Sequence, residues 1–341
     1  MKKLRVNMLS ETEFTVKGHG VHTAYVELTR ALQKRDDVDL SVNDDRDVDV
    51  THIQTVGLYA LKRLFFAKGK KVVSAHLVPD SFIGSLLWAE YWKPLGRGWL
   101  KLFYGKADLV LACSKMVQTE LQREMGLTNV ELLYNTIDMN RYARTSEDKT
   151  VARKVLNMPA DKIVVVGNGQ IQPRKHFDTF VHMSQALPDI QFVWVGGIPF
   201  KRLGADYAAM KAMIDSTPDN LLVTDVIPLE EVRKYLHAAD IFVLPAEQEN
   251  HPLCVLEAAG AGLPIVLRDI PQYDDTFADA ALLADNEDDF VRIVSELARS
   301  KQKRAEAAKL SQTIRDRFDR SAGAQRAVSF YKKALKKIIT P

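Results

Sequence analysis

The stretch "DIFVLPAEQENHPLCVLEAAGAGLPIV", residues 240–266, predicts a buried strand, a loop, a helix and a second buried strand. Pro252 suits the first position of this helix, where its missing N–H costs nothing. The N–H groups of the first turn, those of Leu253, Cys254 and Val255, then form a positive pole that suits a phosphate group. The segment therefore predicts an α/β fold with an anion-binding loop.

Two glutamates flank the predicted positive pole. Glu249 lies in the loop before it, and Glu257 lies inside the helix. A carboxylate this close to a diphosphate would be repelled, so both are better suited to hydroxyl groups of a ribose or sugar held nearby. Each also has a plain structural alternative, because Glu249 could face solvent in its loop and Glu257 could be an exposed helix residue.

The alternation of short β-branched runs and longer helical patterns extends over most of the 341 residues. Strand then helix, repeated, indicates parallel sheets, and the pattern restarts after the polar stretch "ARTSEDKT" at 143–150, which we interpret as a linker. We predict two Rossmann-like, doubly wound domains at 1–143 and 151–320, with ligands in the crevice between them at the carboxyl ends of the strands. A last helix within 321–341 could cross back to the first domain.

Composition narrows the class of protein. With 46% hydrophobic and 27% charged residues, the chain is expected to be soluble and globular. Cys113 and Cys254 lie in apolar runs, as buried free thiols do, and no zinc-ligand spacing is present. No signal-peptide pattern and no apolar run of about 18 residues occurs, so we expect a cytoplasmic location.

The net charge of +3 is unevenly distributed, because residues 60–106 carry +7 and residues 299–341 carry +10. Such asymmetry indicates a basic surface that meets an anionic partner, although the terminal segment could equally be a pair of solvated helices. Within 85–108, aromatic and basic side chains alternate in a way that suits the headgroups of an anionic membrane, the candidates being Trp88, Trp92, Lys93, Arg97, Trp99 and Lys101. The alternative is a core helix pair with a basic outer face. Nucleic acid fits less well, since no reading module is present.

The loop and helix of 246–264 resemble the E-x7-E motif of retaining glycosyltransferases of family 4, with Glu249 and Glu257 at the required spacing. Further segments resemble other family features in order along the chain: "KGHGVHTAYVEL" (17–28), "SAHLVPDS" (74–81), "YNTIDMNRY" (134–142) and "GNGQIQPRKHFDTF" (167–180). The resemblance covers nearly the whole chain. It implies the GT-B fold, in which two Rossmann-like domains face each other across a cleft.

The resemblance also implies a donor site for a UDP-sugar and transfer with retention of configuration. Lys175 and Arg174, with Gln170 beside them, would hold the diphosphate together with the first turn of the helix, so that no metal or other cofactor is needed. Glu257 would accept hydrogen bonds from the ribose, and Glu249 would orient the sugar. Without the resemblance, Arg174 and Lys175 could form a solvated turn.

Three more positions carry over from the family. His76 would lie beside the donor sugar and stabilise developing oxocarbenium charge, although a lone histidine after an apolar strand is more often a core or loop residue. Gly18 and Gly20 would let the backbone approach the donor diphosphate or the acceptor, and they also suit a simple tight turn.

The sequence departs from the family pattern in three places. "ENHP" at 249–252 replaces the usual Glu-Gly-Phe-Gly, which stiffens the backbone there. Gln170 stands where an arginine is common, and Thr136 stands where the family has a glycine. We infer that Arg174 and Lys175 share the diphosphate charge instead of an arginine at position 170.

The opening segment together with 248–273 looks most like the bacterial glycolipid branch of the family, which glucosylates or galactosylates diacylglycerol or its monoglucosyl form. We therefore expect a peripheral enzyme on the inner face of the cell membrane with a lipid acceptor. A family 4 enzyme that acts on an exopolysaccharide or a protein glycan is the main alternative. Outside this activity, a nucleotide-sugar epimerase and a non-catalytic sugar-binding module remain as alternatives.

Overall fold

The structure is a computed structural model that describes residues 2–14, 20–78, 89–198 and 206–336, with only the helical backbone described for 89–93. Its strands are β1 (Leu4–Leu9), β2 (Val38–Val42), β3 (Val50–Ile53), β4 (Lys70–Ala75), β5 (Leu109–Ala112), β6 (Val130–Leu132), β7 (Val164–Asn168), β8 (Gln191–Val195), β9 (Leu221–Val223), β10 (Ile241–Leu244), β11 (Ile265–Arg268) and β12 (Leu282–Ala284).

The helices alternate with these strands. They are α1 (Gly20–Gln33), α2 (Leu58–Phe66), α3 (Ala89–Gly105), α4 (Lys115–Arg123), α5 (Met139–Tyr142), α6 (Ser146–Val155), α7 (Phe177–Ala186), α8 (Tyr207–Asp215), α9 (Leu229–Ala238), α10 (Leu253–Gly260), α11 (Glu287–Arg299), α12 (Lys301–Arg317) and α13 (Arg320–Lys336).

The chain divides into two compact units, each built on one sheet. The described residues of 1–82, 90–137 and 318–341 form the first unit, and those of 138–317 form the second. The first sheet has the order β2-β1-β3-β4-β5-β6 and the second the order β12-β11-β10-β7-β8-β9, and all neighbouring strands are parallel. The predicted pair of doubly wound parallel sheets is confirmed.

Apolar strands explain why both sheets are buried on two faces. All four residues of β5 ("LVLA") and of β10 ("IFVL") are buried, as expected of parallel strands covered by helices on both sides. Several helices contribute an apolar face to this covering. In α11, for example, Phe290, Ile293, Val294 and Leu297 are buried against the second sheet.

The last helix belongs to the first unit. It packs against α1 and β4, where Ala327, Val328 and Tyr331 are buried in the same apolar cluster as Val6. Gly323 also lies in a tight contact, because a Cβ atom at this position would come within 2.1 Å of the Oγ1 atom of Thr136. The threonine that replaces the family glycine is thus accommodated by a glycine on α13.

The predicted linker at 143–150 is wrong, because this polar segment begins a helix. Thr145 accepts a hydrogen bond from the Asp148 N–H while the Asp148 carboxylate accepts from the Thr145 N–H, which is a capping box at the start of α6. The division between the units falls instead at residues 137 and 138.

Helix α2 was not predicted. Leu58, Phe65 and Phe66 are exposed on it, so its apolar residues do not mark a single buried face. Its start is fixed from a distant part of the chain, because the Glu11 carboxylate accepts a hydrogen bond of 2.9 Å from the Ala60 N–H.

The capping box leads to a local prediction. Replacing Thr145 with alanine removes the side-chain acceptor at the helix start and should weaken the first turn of α6 by about 1 kcal/mol. Hydrogen exchange measured by mass spectrometry should then be about fivefold faster for the amides of that turn. Thr150→Ala, at an exposed position in the same helix, is the control and should leave exchange unchanged; equal effects of the two substitutions would contradict the role of the cap.

Candidate active site

The topology of the second sheet locates a site where the strand order reverses. Strands β7 and β10 are neighbours, but the chain leaves β7 towards β8 on one side and leaves β10 towards β11 on the other. The loops that follow the two strands therefore diverge at their carboxyl ends, and such a switch point is where α/β sheets bind ligands. The loops at issue are residues 169–176 and 245–252.

Close packing of glycine backbone shapes the loop after β7. Gly196, at the end of the adjacent β8, has φ of +136°, and a Cβ atom there would lie 2.1 Å from the Gly169 carbonyl oxygen. The indole N–H of Trp194 donates to that same oxygen at 2.9 Å. Beyond it, Pro173–Lys175 form a 3₁₀ turn that presents Arg174 and Lys175 before α7 begins.

A buried ion pair joins the two loops. The ammonium of Lys175 contacts the carboxylate of Glu249 directly, and the two residues are only 7% and 8% exposed. Arg174 lies 3.7 Å from the same carboxylate and donates a hydrogen bond of 2.9 Å to the Gln248 carbonyl oxygen. Sequence reasoning assigned Arg174 and Lys175 together to the diphosphate and Glu249 separately to the sugar, and the structure brings all three together in one cluster.

Helix α10 begins beside this cluster. Pro252 is the N-cap residue and Leu253 is the first helical residue, so the proline lies one position earlier than predicted. Leu253, Cys254 and Val255 then occupy the first turn, as the sequence indicated; the Val255 N–H bonds to the Pro252 carbonyl oxygen at 3.2 Å. Cys113 and Cys254 are both free thiols, as predicted; Cys113 is buried, whereas Cys254 is half-buried.

Glu257 is a buried carboxylate within α10 and is 3% exposed. The Tyr142 hydroxyl donates to it at 3.1 Å, and the Asn168 amide donates at 3.3 Å. Tyr142 comes from α5 and Asn168 from the end of β7. The structure thus rules out the alternative that Glu257 is an exposed helix glutamate, and Tyr142 and Asn168 are site residues that sequence reasoning missed.

The departure "ENHP" has a packing explanation. His251 replaces the usual phenylalanine and is 4% exposed, with its ring stacked on Phe277 at 5.2 Å and 24°. Burial lowers the pKa of His251 to about 3, so the ring is neutral at physiological pH. Tyr273 packs edge-on against Phe277. These aromatic side chains support the loop behind Glu249. In the sequence, only the position of His251 within the motif could have indicated this packing.

The remaining candidate site residues are not members of the Lys175–Glu249 cluster, or they lie outside the described residues. Gln170 is half-buried and accepts a hydrogen bond of 3.3 Å from Gln172 in its own loop, and this contact does not involve the Lys175–Glu249 pair. Gly18 lies outside the described residues. Gly20 is the first residue of α1, and a Cβ atom there would meet nothing within 4 Å. His76, half-buried after β4 in the first unit, has its Nε2 atom 3.1 Å from Gln54 Oε1.

The proposed membrane residues divide into several groups. Trp88 and the side chains of Trp92 and Lys93 lie outside the described part. Lys101 and Arg97 are both exposed, and Arg97 also donates a hydrogen bond to the Glu124 carbonyl oxygen. Trp99 is half-buried against the core of the first unit, and its N–H donates to the Val56 carbonyl oxygen at 2.8 Å. Trp99 therefore has a packing role, which corrects its assignment as a free surface residue.

Helices α2 and α3 carry exposed apolar side chains that the sequence analysis did not single out. In α2 they are Leu58, Phe65 and Phe66, and in α3 they are Leu95 and Leu102; together we name them the α2–α3 face. Two contacts link these helices and their adjoining residues. Trp99 of α3 donates to the carbonyl oxygen of Val56, just before α2. The ammonium of Lys106, just after α3, lies 6.0 Å from the centre of the Phe65 ring of α2.

The described residues contain neither a metal-binding cluster nor a membrane-spanning helix. Among them, no three histidine, cysteine, aspartate or glutamate side chains lie close enough to hold a metal ion. Asp47 and Asp49 are paired with Lys68 and Arg5, respectively. No helix among these residues is both long and apolar enough to cross a membrane.

Comparison with known proteins assigns both halves of the chain to glycosyltransferase families. Residues 148–314 match "Glycosyl transferases group 1", and residues 27–141 match "Glycosyltransferase Family 4". The alpha-galactosylglucosyldiacylglycerol synthase of Streptococcus pneumoniae is 32% identical over 279 residues, which cover 80% of this chain and 74% of that protein. The processive diacylglycerol alpha-glucosyltransferase of Acholeplasma laidlawii is 24% identical over 273 residues, which cover 80% of this chain and 81% of that protein.

Solved structures show the same fold. The Anabaena protein HepE in complex with UDP and glucose has a TM-score of 0.76 at 17% identity, covering 96% of this chain and 98% of its own. Sucrose-phosphate synthase of Thermosynechococcus elongatus has a TM-score of 0.80 at 16% identity, covering 98% and 100%. The predicted GT-B class is confirmed.

The buried pair provides a test of the site's construction. Lys175→Met and Glu249→Gln should each lower the free energy of unfolding by about 3 kcal/mol, because each leaves a buried group without its partner. The double variant should lose much less than the sum of the two. Urea unfolding of the four proteins measures the coupling.

A matched control is the exposed pair Lys211 and Asp215 in α8, whose side chains are 53% and 58% exposed. Lys211→Met and Asp215→Asn should each change stability by less than about 1 kcal/mol. Additive losses at Lys175 and Glu249 would show that the two charges do not depend on each other.

Proposed function

The chain belongs to the group 1 and family 4 glycosyltransferases, and from that premise we propose that it transfers a hexose from a UDP-sugar to a membrane lipid acceptor, with retention of configuration. The acceptor in this proposal is diacylglycerol or its monoglucosyl form. Two relatives support it, since their names describe a galactosylglucosyldiacylglycerol synthase and a diacylglycerol glucosyltransferase.

The observation that carries the proposal is the cationic cluster at the switch point. Arg174 and Lys175 lie beside the first turn of α10, so two side-chain charges and a helix N-terminus converge on one place. In our proposal this is where the diphosphate of the donor binds. The Glu249 carboxylate neutralises Lys175 when no donor is bound, and an incoming diphosphate competes for the same ammonium.

Binding would then redistribute the charges. Once Lys175 and Arg174 turn to the diphosphate, Glu249 becomes available to accept hydrogen bonds from hydroxyl groups of the hexose. Glu257, fixed by Tyr142 and Asn168, would accept from the ribose. Each carboxylate thus meets neutral hydroxyls, and the cations meet the anionic phosphates.

The chemical step places negative charge on the departing UDP. We assign its stabilisation to Lys175, Arg174 and the N–H groups of α10, which are held in place before the reaction. The leaving phosphate oxygen takes the proton of the acceptor hydroxyl on the same face of the sugar, and this gives retention. His76 would lie beside the developing positive charge of the hexose. No metal ion or other cofactor takes part in this proposal.

Turnover with defined substrates tests the function. We expect the purified protein to form glycolipid from UDP-glucose or UDP-galactose and vesicles that contain diacylglycerol or its monoglucosyl form. Arg174→Ala should lower kcat more than it perturbs folding, because its side chain, which is 21% exposed, acts on the leaving group. EDTA should leave the rate unchanged.

The other outcomes separate the alternatives. Product formed only with a polysaccharide or protein acceptor would replace the lipid assignment. Interconversion of UDP-sugars without acceptor would indicate an epimerase, and donor binding without any turnover would indicate a binding module. Loss of activity in EDTA that Mn²⁺ restores would show that a metal carries the charge assigned to Arg174 and Lys175.

Donor affinity tests the role of Glu257. Glu257→Gln removes the anionic acceptor for the ribose hydroxyls and should weaken UDP binding by about 1–3 kcal/mol in calorimetric titration. Glu306→Gln, an exposed glutamate on α12, should leave the affinity unchanged. An unaltered UDP titration of correctly folded Glu257→Gln would remove this residue from the donor site.

We further propose that the enzyme binds the inner face of the cell membrane peripherally through the α2–α3 face. Phe66 and Leu95 are each 79% exposed there, and Lys62, Lys101 and Lys106 are exposed on the same helices or at their ends. Apolar side chains that enter the headgroup layer, surrounded by lysines that meet anionic lipid, form an interfacial membrane site.

Vesicle co-sedimentation tests this surface. Lys101→Gln combined with Lys106→Gln should weaken binding to phosphatidylglycerol vesicles about 30-fold, since each lysine contributes about 1 kcal/mol. Phe66→Ser should weaken binding even at high salt, where the contribution of the lysines is screened. The charge-matched control is Lys301→Gln with Lys309→Gln on α12, both exposed, which should bind as the wild type does. Wild-type protein that stays in the supernatant at low salt would contradict the proposal.

A further inference from the structure

A chain of buried polar side chains runs through the first unit behind His76. Gln54 follows β3, His52 lies in β3, and Tyr331 lies on α13. His52 and Tyr331 are 0% exposed and Gln54 is 2% exposed. Buried polar groups of this kind are retained only when they are hydrogen-bonded, and each is.

The contacts form one connected path. The His76 Nε2 atom lies 3.1 Å from Gln54 Oε1, Gln54 Nε2 lies 3.0 Å from His52 Nε2, and His52 Nδ1 lies 2.6 Å from the Tyr331 hydroxyl. The Ser74 hydroxyl also lies 2.9 Å from His52 Nε2. The path therefore extends from the loop after β4 to the last helix of the chain.

The surroundings of Gln54 fix its orientation. Its amide nitrogen lies 3.5 Å from the sulfur of Met8, which can only accept, and 3.0 Å from His52 Nε2. The amide oxygen therefore faces His76, and His76 must donate from Nε2. A neutral imidazole that carries its proton on Nε2 has Nδ1 as its acceptor atom.

The proton position on His52 follows from the same contacts. Burial, with a smaller effect from His76, lowers the pKa of His52 to about 3, so this ring is neutral. Its Nε2 atom accepts from the Gln54 amide, so Nδ1 carries the proton and donates to the Tyr331 hydroxyl. Each of the three contacts between His76 and Tyr331 then joins a donor to an acceptor.

We propose that Gln54 is a positioning residue that, together with His52 and Tyr331, holds His76 as the Nε2–H tautomer with its Nδ1 lone pair as the acceptor. The proposal rests on the proposed function, in which His76 lies beside the donor sugar. An electron-rich nitrogen at that place suits a reaction in which positive charge develops on the sugar, whereas an N–H group would oppose it.

The nearby cavity supports a positioning role rather than a separate ligand site. Gln54, Ser74 and His76 line a cavity of about 20 Å³, which is room for about one water molecule. A sugar or a nucleotide does not fit there. The network therefore acts on the orientation of His76 and not on a ligand of its own.

Histidine tautomers can be measured directly without substrate. In protein labelled with ¹⁵N-histidine, long-range ¹H–¹⁵N correlation spectra distinguish the two tautomers, and His52→Gln and His76→Asn assign the signals. We expect the Nδ1–H form for His52 and the Nε2–H form for His76. The opposite pair of tautomers, or a mixture at His76 in the wild type, would overturn the proposal.

Substitutions then connect the tautomer to catalysis. Gln54→Met removes both amide contacts with little change in size, and we expect a mixed tautomer at His76 and a kcat at least about tenfold lower, with the KM for the UDP-sugar unchanged within about twofold. Tyr331→Phe should mix the tautomers of His52. Gln118→Met is the matched control, because Gln118 donates to the Val130 carbonyl oxygen at 3.2 Å within the same unit and outside the path; it should change neither spectrum nor rate.

Two results decide the proposal and its premise separately. A kcat of Gln54→Met equal to that of the wild type would overturn the positioning role. A wild-type protein that forms no glycolipid would contradict the proposed function, and the tautomer spectra would still decide whether the path orients His76.

Discussion

The buried pair of Lys175 and Glu249 is the interaction on which the second unit's site depends. Its members come from two loops that are separated by 74 residues and meet only because β7 and β10 are adjacent strands. Removing both charges from water is unfavourable, and their attraction offsets that only when the geometry is good. The loops are therefore held to one arrangement by a pair that neither could bury alone.

In the proposed function, this arrangement also keeps a cationic site ready for the donor diphosphate. The Glu249 carboxylate is the counterion of the buried Lys175 ammonium. Arg174, 3.7 Å from the same carboxylate, adds a second cation to that place. A ligand with two negative phosphates brings more charge than one carboxylate, so exchange of partners is favourable when the ligand is also held by the helix N-terminus.

The sequence predicted the sheets well because parallel strands buried on both faces leave continuous apolar runs, and these survive without knowledge of the partners. It failed where structure comes from polar or distant contacts. The start of α6 is fixed by Thr145 and Asp148, whose polarity imitates a linker. Helix α2 exposes Phe66 and takes its cap from Glu11, so neither its pattern nor its neighbours mark it.

The candidate site was predictable only in part, for the same reason. The motif spacing placed Glu249, Arg174 and Lys175 after strands and Glu257 in the helix that follows Glu249, but it could not show which charges touch. The pairing of Glu249 with Lys175 depends on strand order, and the hydrogen bond from Tyr142 to Glu257 depends on how α5 packs against α10. Nothing in the local sequence encodes either contact.

The two units use opposite means to fix a polar side chain in a buried place. In the second, full charges are paired and hold loops together. In the first, neutral groups are joined end to end, and burial keeps His52 uncharged at a pKa of about 3.

The difference between the two units suits the charge that each is proposed to meet. Negative charge that grows on a leaving phosphate is stabilised by cations, whereas positive charge that grows on a sugar is stabilised by a lone pair and opposed by a protonated ring. A histidine in that position therefore has to be held neutral and in one tautomer, which a chain of uncharged hydrogen bonds provides and an adjacent carboxylate would not, since a carboxylate favours the protonated imidazole.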